Sequence, residues 1–315
     1  MTKKKRPEET TELCTEMDNW VVMGNDLLKG KTALSATEVK LLRLVMMQIR
    51  IEDDELGAYV IKAKELAEML GLDASNFTRD LQKTCYTLAE KTIKINTYNP
   101  KRPWKVLPWV GYIEYTEKAD IIIQLNTWLA PYLFGLKLKG HYTQYVLENI
   151  LRMNSYYAIR IYELLKMKLP NDSLPTGGTV VRLTNEEIRT ATEIEKKYSQ
   201  NIEFKRRVLD VAVKEINEKS DFVISYEQKK TSGRAYNVVD FTCKSRFDTG
   251  KEPTIVQQCK AKLVRYNQMR TKQGKKSIGM YDQIIKDLVM INGGIEFDSV
   301  EDFDMALMEY IADRG

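Results

Sequence analysis

One order of elements occurs twice along this chain. A helix, a short strand, two more helices and a β-hairpin follow one another, and the same order returns roughly 120 residues later. The first copy opens with "SATEVKLLRLVMMQIR", where Ser35 and Glu38 have capping-box spacing and Val39, Leu42, Val45/Met46 and Ile49 recur at helical intervals. A strand "AYVIKA" (Ala58–Ala63) leads into the helix "KELAEMLGL", then a third helix, Ser75–Glu90. Strand-like runs Thr92–Thr97, Trp104–Glu117 and Asp120–Asn126 close the copy, and alternation of Ile121, Ile123 and Leu125 marks one buried face. A segment predicted to be helical, "QYVLENILRM", bridges to the second copy.

That copy contains the helix "SYYAIRIYELLKM", the strand "TVVRL", the capped helix "TNEEIRTAT" (Thr184, Glu187), and a long helix over Ile202–Asn217. Strands "DFVISYEQKK" and "RAYNVVDFTCKS" follow, joined by the turn Thr231-Ser232-Gly233. Few residues are identical between the copies; what repeats is the pattern. Three helices backed by a hairpin make the winged-helix variant of helix-turn-helix. The expected fold is thus α+β: two tandem winged-helix domains with a small helical C-terminal extension. The expected divisions are 1–19, a disordered arm; 20–140, the first winged helix; 141–246, the second; and 247–315, the extension. In the extension, residues 251–276 hold eight Lys/Arg against Glu252, whereas 282–315 hold nine Asp/Glu against Lys286 and Arg314.

The residue inventory argues against an enzyme. There is one histidine, His141, so a two-histidine metal site is excluded, and a histidine-based triad would have to use that residue. The glycine-rich phosphate loops, the serine elbow and HExxH are absent. Cys14, Cys85, Cys243 and Cys259 lie far apart, as suits thiols of a reducing cytoplasm better than a disulfide frame or zinc site. No run of 18 apolar residues suggests a membrane span. The reading is a cytoplasmic protein without catalytic residues, metal or cofactor. A net charge of +5 permits nucleic-acid binding without requiring it.

The third helices carry the candidate site. In Ile202–Asn217, Phe204, Val208/Leu209, Ala212 and Ile216 form one apolar stripe, leaving Glu203, Arg206, Arg207, Asp210 and Lys214 opposite. Lys205, Arg206 and Arg207 fall in the first turns, where a groove-inserted helix reaches base edges. Cations at a helix N-terminus are unfavourable by roughly 0.3–1 kcal/mol, a cost that a polyanion offsets. The hairpin tip after it holds Lys229, Lys230 and Arg234, suited to phosphate contacts. In the first copy Phe77, Leu81, Cys85 and Leu88 are the expected buried stripe, with Asn76, Thr78, Arg79, Gln82 and Lys83 opposite. Its hairpin loop carries Lys101, Arg102 and Lys105. The tyrosines of "RMNSYYAIRIYELLKMK" are read as scaffold, and His141 receives no role.

Three stretches resemble a known family, the plasmid replication initiator (Rep) proteins built from two winged helices. They are "YTQYVLENILRMNSYYAIRIYELLK", with its "Y-x-x-R-x-Y-E-L-L" helix; "FKRRVLDVAVKEINEKSDFVISYEQKKTSGRAYNVVDF", with "A-x-x-E-I-N-x-x-S-D"; and "ALSATEVKLLRLVMMQI". The resemblance runs over about residues 20 to 245. It implies a non-catalytic protein that binds direct repeats (iterons) in double-stranded DNA at a plasmid origin, as the iteron-binding initiators do. It also implies recruitment of host replication proteins such as the replicative helicase, and a monomer–dimer equilibrium in which the first domain serves dimerisation. It assigns base reading to Lys205, Arg206 and Arg207 and the wing role to Gly233-Arg234. Rolling-circle initiators, which need a histidine pair beside a tyrosine nucleophile, do not fit one histidine. Two alternatives stay open on the residues alone: a winged-helix transcriptional repressor and a protein-interaction scaffold.

Overall fold

A computed structural model describes residues 10–12, 20–49, 53, 55–70, 77–97, 99–117, 120–136, 141–169, 178–231, 235–246, 263, 266, 284, 287–289, 297 and 299–312. In the first unit, strand β1 (Thr10–Glu12), strand β2 (Trp20–Gly24) and the short helix α1 (Asn25–Lys29) precede helix α2 (Ala36–Met47). Strand β3 (Ala58–Lys62) and helices α3 (Ala63–Leu70) and α4 (Phe77–Ala89) follow. Then come strands β4 (Thr92–Asn96), β5 (Trp104–Pro108), β6 (Val110–Tyr115) and β7 (Asp120–Leu125), and a 3-10 turn, Thr127–Tyr132. Strand β8 (Tyr142–Val146) and the helical turn α5 (Glu148–Leu151) lead to helix α6 (Tyr156–Lys168). Strand β9 (Thr179–Thr184) and helix α7 (Asn185–Thr192) precede the long helix α8. Helix α8 comprises Asn201–Phe204, a π-helical turn Lys205–Leu209, and Asp210–Lys219. Strands β10 (Phe222–Lys229) and β11 (Val238–Ser245) form the second hairpin, and helix α9 (Val300–Ala312) lies in the tail.

The sheets give the repeat a topological basis. In the second unit the strand order is β10-β11-β9, so the strand between the first two helices pairs with the last strand of the hairpin. In the first unit β6, β7 and β3 stand in the same order, with Ile61 opposite Ile121. The first unit differs by an added hairpin. Strand β4 follows α4 directly and pairs with β5, which bends at Trp109 into β6. Both units are therefore winged helices.

Capping decides where helices begin. The Ser35 hydroxyl accepts from the Glu38 amide at 3.2 Å, and the Glu38 carboxylate accepts from the Ser35 amide at 2.6 Å. Glu38 also accepts from the Thr87 hydroxyl of α4 at 2.7 Å, so one cap ties two helices. Thr184 and Glu187 repeat the device on α7. The alternating run predicted for β7 is buried at Ile121, Ile123 and Leu125.

Three sequence expectations change. Thr10–Glu12, within the segment expected to be a disordered arm, adds in parallel to the open edge of β3. Of "QYVLENILRM", Gln144–Val146 is strand and only Glu148–Leu151 is helical. Thr143 and Tyr145 are buried with period two, a pattern too short to separate from a helical one in sequence. Strand β8 pairs with β2, so the expected division at 140/141 falls just before a strand that reaches back to the start of the first unit. Finally, α2 is buried almost all round rather than along one stripe, including Lys40 and Arg43. It packs against β2, β7, α3, α4 and α6.

A buried polar cluster joins the units. Glu163 of α6 accepts from Arg43 of α2 at 2.7 Å, from the Tyr145 hydroxyl of β8 at 2.7 Å, and from Arg160. Arg160 also donates to the carbonyls of Ala191 at 3.1 Å and Leu28 at 2.6 Å. Burial alone would raise the Glu163 pKa, but Arg43 and Arg160 beside it hold it down at about 2. The Arg43 guanidinium lies 6.0 Å from the Trp109 ring centroid, and the Trp109 indole N–H donates to Thr32 Oγ1 at 2.7 Å. Tail helix α9 buries Phe303, Leu307 and Tyr310 in a separate cluster that includes Val146 of β8, with Trp20 of β2 packed beside it.

Candidate nucleic-acid interface

Helix α8 is held by its buried stripe: Phe204, Val208, Leu209, Ala212 and Ile216 are all fully buried. Lys205, Arg206, Arg207, Asp210 and Lys214 are exposed. Arg207 is the most constrained of the basic cluster, with its Nε 3.9 Å from Glu203 and its guanidinium 5.8 Å from the Tyr198 ring centroid. Lys205 and Arg206 have no ion-pair partner among the described residues. Their charge is not neutralised within the fold and stays available for a polyanion.

The motif "EINEKSD" is explained by what it holds. Glu215 accepts from the amides of Asn154 at 2.8 Å and Ser155 at 3.0 Å, just ahead of α6. The Asn217 amide side chain exchanges two bonds with Ile224 of β10, at 2.6 and 2.9 Å. Ser220 Oγ accepts from the Phe222 amide at 3.1 Å, and Asp221 receives the Tyr162 hydroxyl at 3.0 Å and Lys166 at 2.7 Å. These residues build the corner from α8 to the wing. At its other end α8 is clamped to β10 by the reciprocal amide pair Asn201–Gln228, at 2.9 and 3.1 Å. Mid-helix, the Tyr226 hydroxyl donates to Asp210 at 2.6 Å; burial and that contact together raise the tyrosine's pKa. Helix and wing form a rigid pair.

The wing residues differ from one another. Lys229 is spent on Asp240 at 3.0 Å and Glu227 at 3.3 Å. Asp240, only 7% exposed, also receives Arg182 at 2.7 and 2.8 Å, and these partners hold its carboxyl well below the usual range. Lys230 is exposed and stacks 4.8 Å from the Tyr236 ring centroid. Replacing Lys230 by alanine should weaken binding to all DNA sequences alike and flatten the salt slope by about one unit. Lys229→Ala should leave that slope nearly unchanged and remove one of the two cations that hold Asp240, Arg182 being the other; affinity measured across a salt series distinguishes the two. Arg234 lies outside the described residues.

On α4, Leu81, Cys85 and Leu88 are buried, and Thr78, Arg79, Gln82 and Lys83 are exposed. Nothing is described for Asn76 or for the Phe77 side chain. Arg79 lies 3.4 Å from Asp80, an exposed pair that contributes little. Asp80, Lys83, Thr84 and Thr87 line an open cleft of about 720 Å³, faced by Glu193, Ile194 and Lys197 from the loop after α7. That loop continues to Tyr198, which contacts Arg207, so α4 and the start of α8 border one side of the molecule. In the added hairpin, Lys101 and Arg102 are exposed, while Lys94 and Lys105 sit over Trp104 and Tyr132, with Nζ 5.1 and 4.7 Å from the ring centroids.

Sequence reasoning passed over the two most exposed apolar residues on these helices. Ile202 is 71% exposed beside the basic cluster, and Tyr86 is 72% exposed on α4. Ile202 lies off the apolar stripe, which periodicity alone could have marked. His141 is exposed and contributes its backbone carbonyl to the Asn25 amide at 3.1 Å. Burial pushes the Cys85 and Cys243 thiols up to about 12, leaving neither reactive at neutral pH. Among the described residues no helix is long and apolar enough to cross a membrane, and no acidic, His or Cys cluster is arranged to hold a metal.

Two family models match the chain: "Initiator Replication protein, WH1" over residues 20–166 and "Initiator Rep protein, WH2" over residues 184–243. The chain belongs to the plasmid replication initiator (Rep) family. Among solved structures, the chain is similar in fold to the Pi initiator protein in complex with iteron DNA. It is 18% identical, with a TM-score of 0.62 over 73% of this chain and 98% of that one. The WH1 match runs to residue 166, within α6, so the buried Glu163 falls within the first family model. The WH2 match holds the basic cluster, the "EINEKSD" corner and the wing strands.

Proposed function

We propose that this Rep protein is a non-catalytic reader of double-stranded DNA that binds direct repeats, the iterons of a plasmid origin, to initiate replication. The observation that carries the reading is the start of α8. Three consecutive basic side chains are exposed there, two of them with no ion-pair partner among the described residues, on a helix clamped to a basic-tipped wing. Arginine's fork matches the two major-groove acceptors of guanine, which suits Arg206 and Arg207 to base reading. Lys205, Lys214 and Lys230 are placed for phosphates. Thr78, Arg79, Gln82 and Lys83 on α4 would read or grip a neighbouring groove. The Pi initiator, which shares the fold, is known bound to iteron DNA. In this reading the bound protein recruits host replication proteins such as the replicative helicase, and it exchanges between monomer and dimer.

The test begins with footprinting over the repeats beside its own gene, followed by replication of an otherwise inert circle carrying gene and repeats. Arg206→Ala or Arg207→Ala should cost specific binding roughly 1–3 kcal/mol with little change on unrelated DNA. Equal losses on both DNAs would remove base reading from these residues. Protection of the repeats without replication of the circle would favour a repressor.

A further inference from the structure

The π-helical turn Lys205–Leu209 coincides with the basic cluster. Its defining bond runs from the Asp210 amide to the Lys205 carbonyl, one residue longer than an α-helical bond. Such turns are rare and are frequent at functional sites. The sequence contains the reason for this one. Phe204, Val208, Ala212 and Ile216 recur every fourth residue, whereas an α-helix turns every 3.6. A regular helix would rotate the stripe progressively off the core. One extra residue, absorbed between Phe204 and Leu209, puts both of these fully buried side chains on the core side.

The same widening acts on the exposed side. Consecutive residues of an α-helix stand about 100° apart, so three in a row sweep more than half the circumference. In the wider turn they subtend less, and Lys205, Arg206 and Arg207 are all exposed while Val208 and Leu209 are both buried. The helix cannot easily shed the extra residue at its ends. Asn201 is pinned to Gln228, Asp210 to Tyr226, and Asn217 to Ile224.

We infer that the π turn is a positioning device that gathers Lys205, Arg206 and Arg207 onto one groove-facing side and so sets base preference. This rests on the proposed reading that α8 contacts bases. Deleting Lys205 brings Phe204 and Leu209 to an i, i+4 spacing and so restores a regular α-helix with the stripe intact. The deletion is therefore expected to keep or raise thermal stability. Against duplexes selected from a random library by the wild-type chain, it should lose about a hundredfold in affinity, as for two base contacts, while keeping binding to unrelated DNA. A fresh selection with the deletion protein should return a different base preference. Lys205→Ala, which removes the charge and leaves the turn, should lose only severalfold on both DNAs.

If deletion and alanine substitution lose equally and select the same bases, the π turn has no reading role. Arg206→Ala tests the underlying reading separately: no loss of specificity there removes the base contact whatever the deletions do. Deletion of Arg207 removes the same turn while retaining Lys205 and Arg206, and serves if the first deletion misfolds. If neither deletion folds, the turn belongs to the fold alone and the inference is overturned.

Discussion

Glu163→Ala is expected to destabilise this Rep protein by about 3–5 kcal/mol. Glu163 is fully buried and stands between two guanidiniums, Arg43 and Arg160, that are each 1% exposed. Removing it leaves two buried cations facing each other without a counter-ion. The loss is comparable to much of the total stability of a typical domain. Because Arg43 belongs to α2, Tyr145 to β8 and Arg160 to α6, the damage falls where the two units meet. Chemical denaturation of the variant checks the value. A change below about 1 kcal/mol would mean that water reaches the cluster and solvates the arginines.

The same carboxylate predicts an acid response. Its pKa in the folded chain is about 2, below the ordinary 4.5, so the ionised form is favoured by folding. Its contribution is fully present above pH 4.5 and drains away as pH falls from there towards 2. Denaturation midpoints measured across that range should fall for the wild type. Glu163→Gln, which has no proton to gain, should show a shallower fall.

Phe204→Ala is the second large effect, expected at about 3–5 kcal/mol for a fully buried aromatic ring. The ring anchors α8 immediately before the π turn and lies under the Arg189 guanidinium at 4.5 Å from its centroid. Its loss empties a core position and frees the basic cluster at once. Stability and specific DNA affinity should therefore fall together, whereas Arg206→Ala should lower affinity without moving the thermal midpoint. Unchanged stability in Phe204→Ala would show that the site collapses around the missing ring.

Much of the architecture was legible because winged helices are built from short-range signals. Two capping boxes, a period-two run at β7 and stripes on the third helices are local, and each appears in the structure at its predicted place. Local patterns failed where partners are distant in sequence. Strand β8 is a strand because β2, more than a hundred residues earlier, offers it a ladder. Lys229 is expected from sequence to contact phosphate; in the structure it pairs with Asp240 on the facing strand and with Glu227 on its own strand.

The sequence by itself determined the order of elements and the position of the basic cluster on a third helix. Those depend on residue type and periodicity, which the chain carries at every point. Tertiary structure alone decided two things: that the "Y-x-x-R-x-Y-E-L-L" helix supplies Arg160 and Glu163 to a buried lock with Arg43, and that Lys229 pairs with Asp240 while Lys230 has no ion-pair partner among the described residues. Each is a contest among groups far apart in sequence for the same space or the same charge, and only the packed chain settles it.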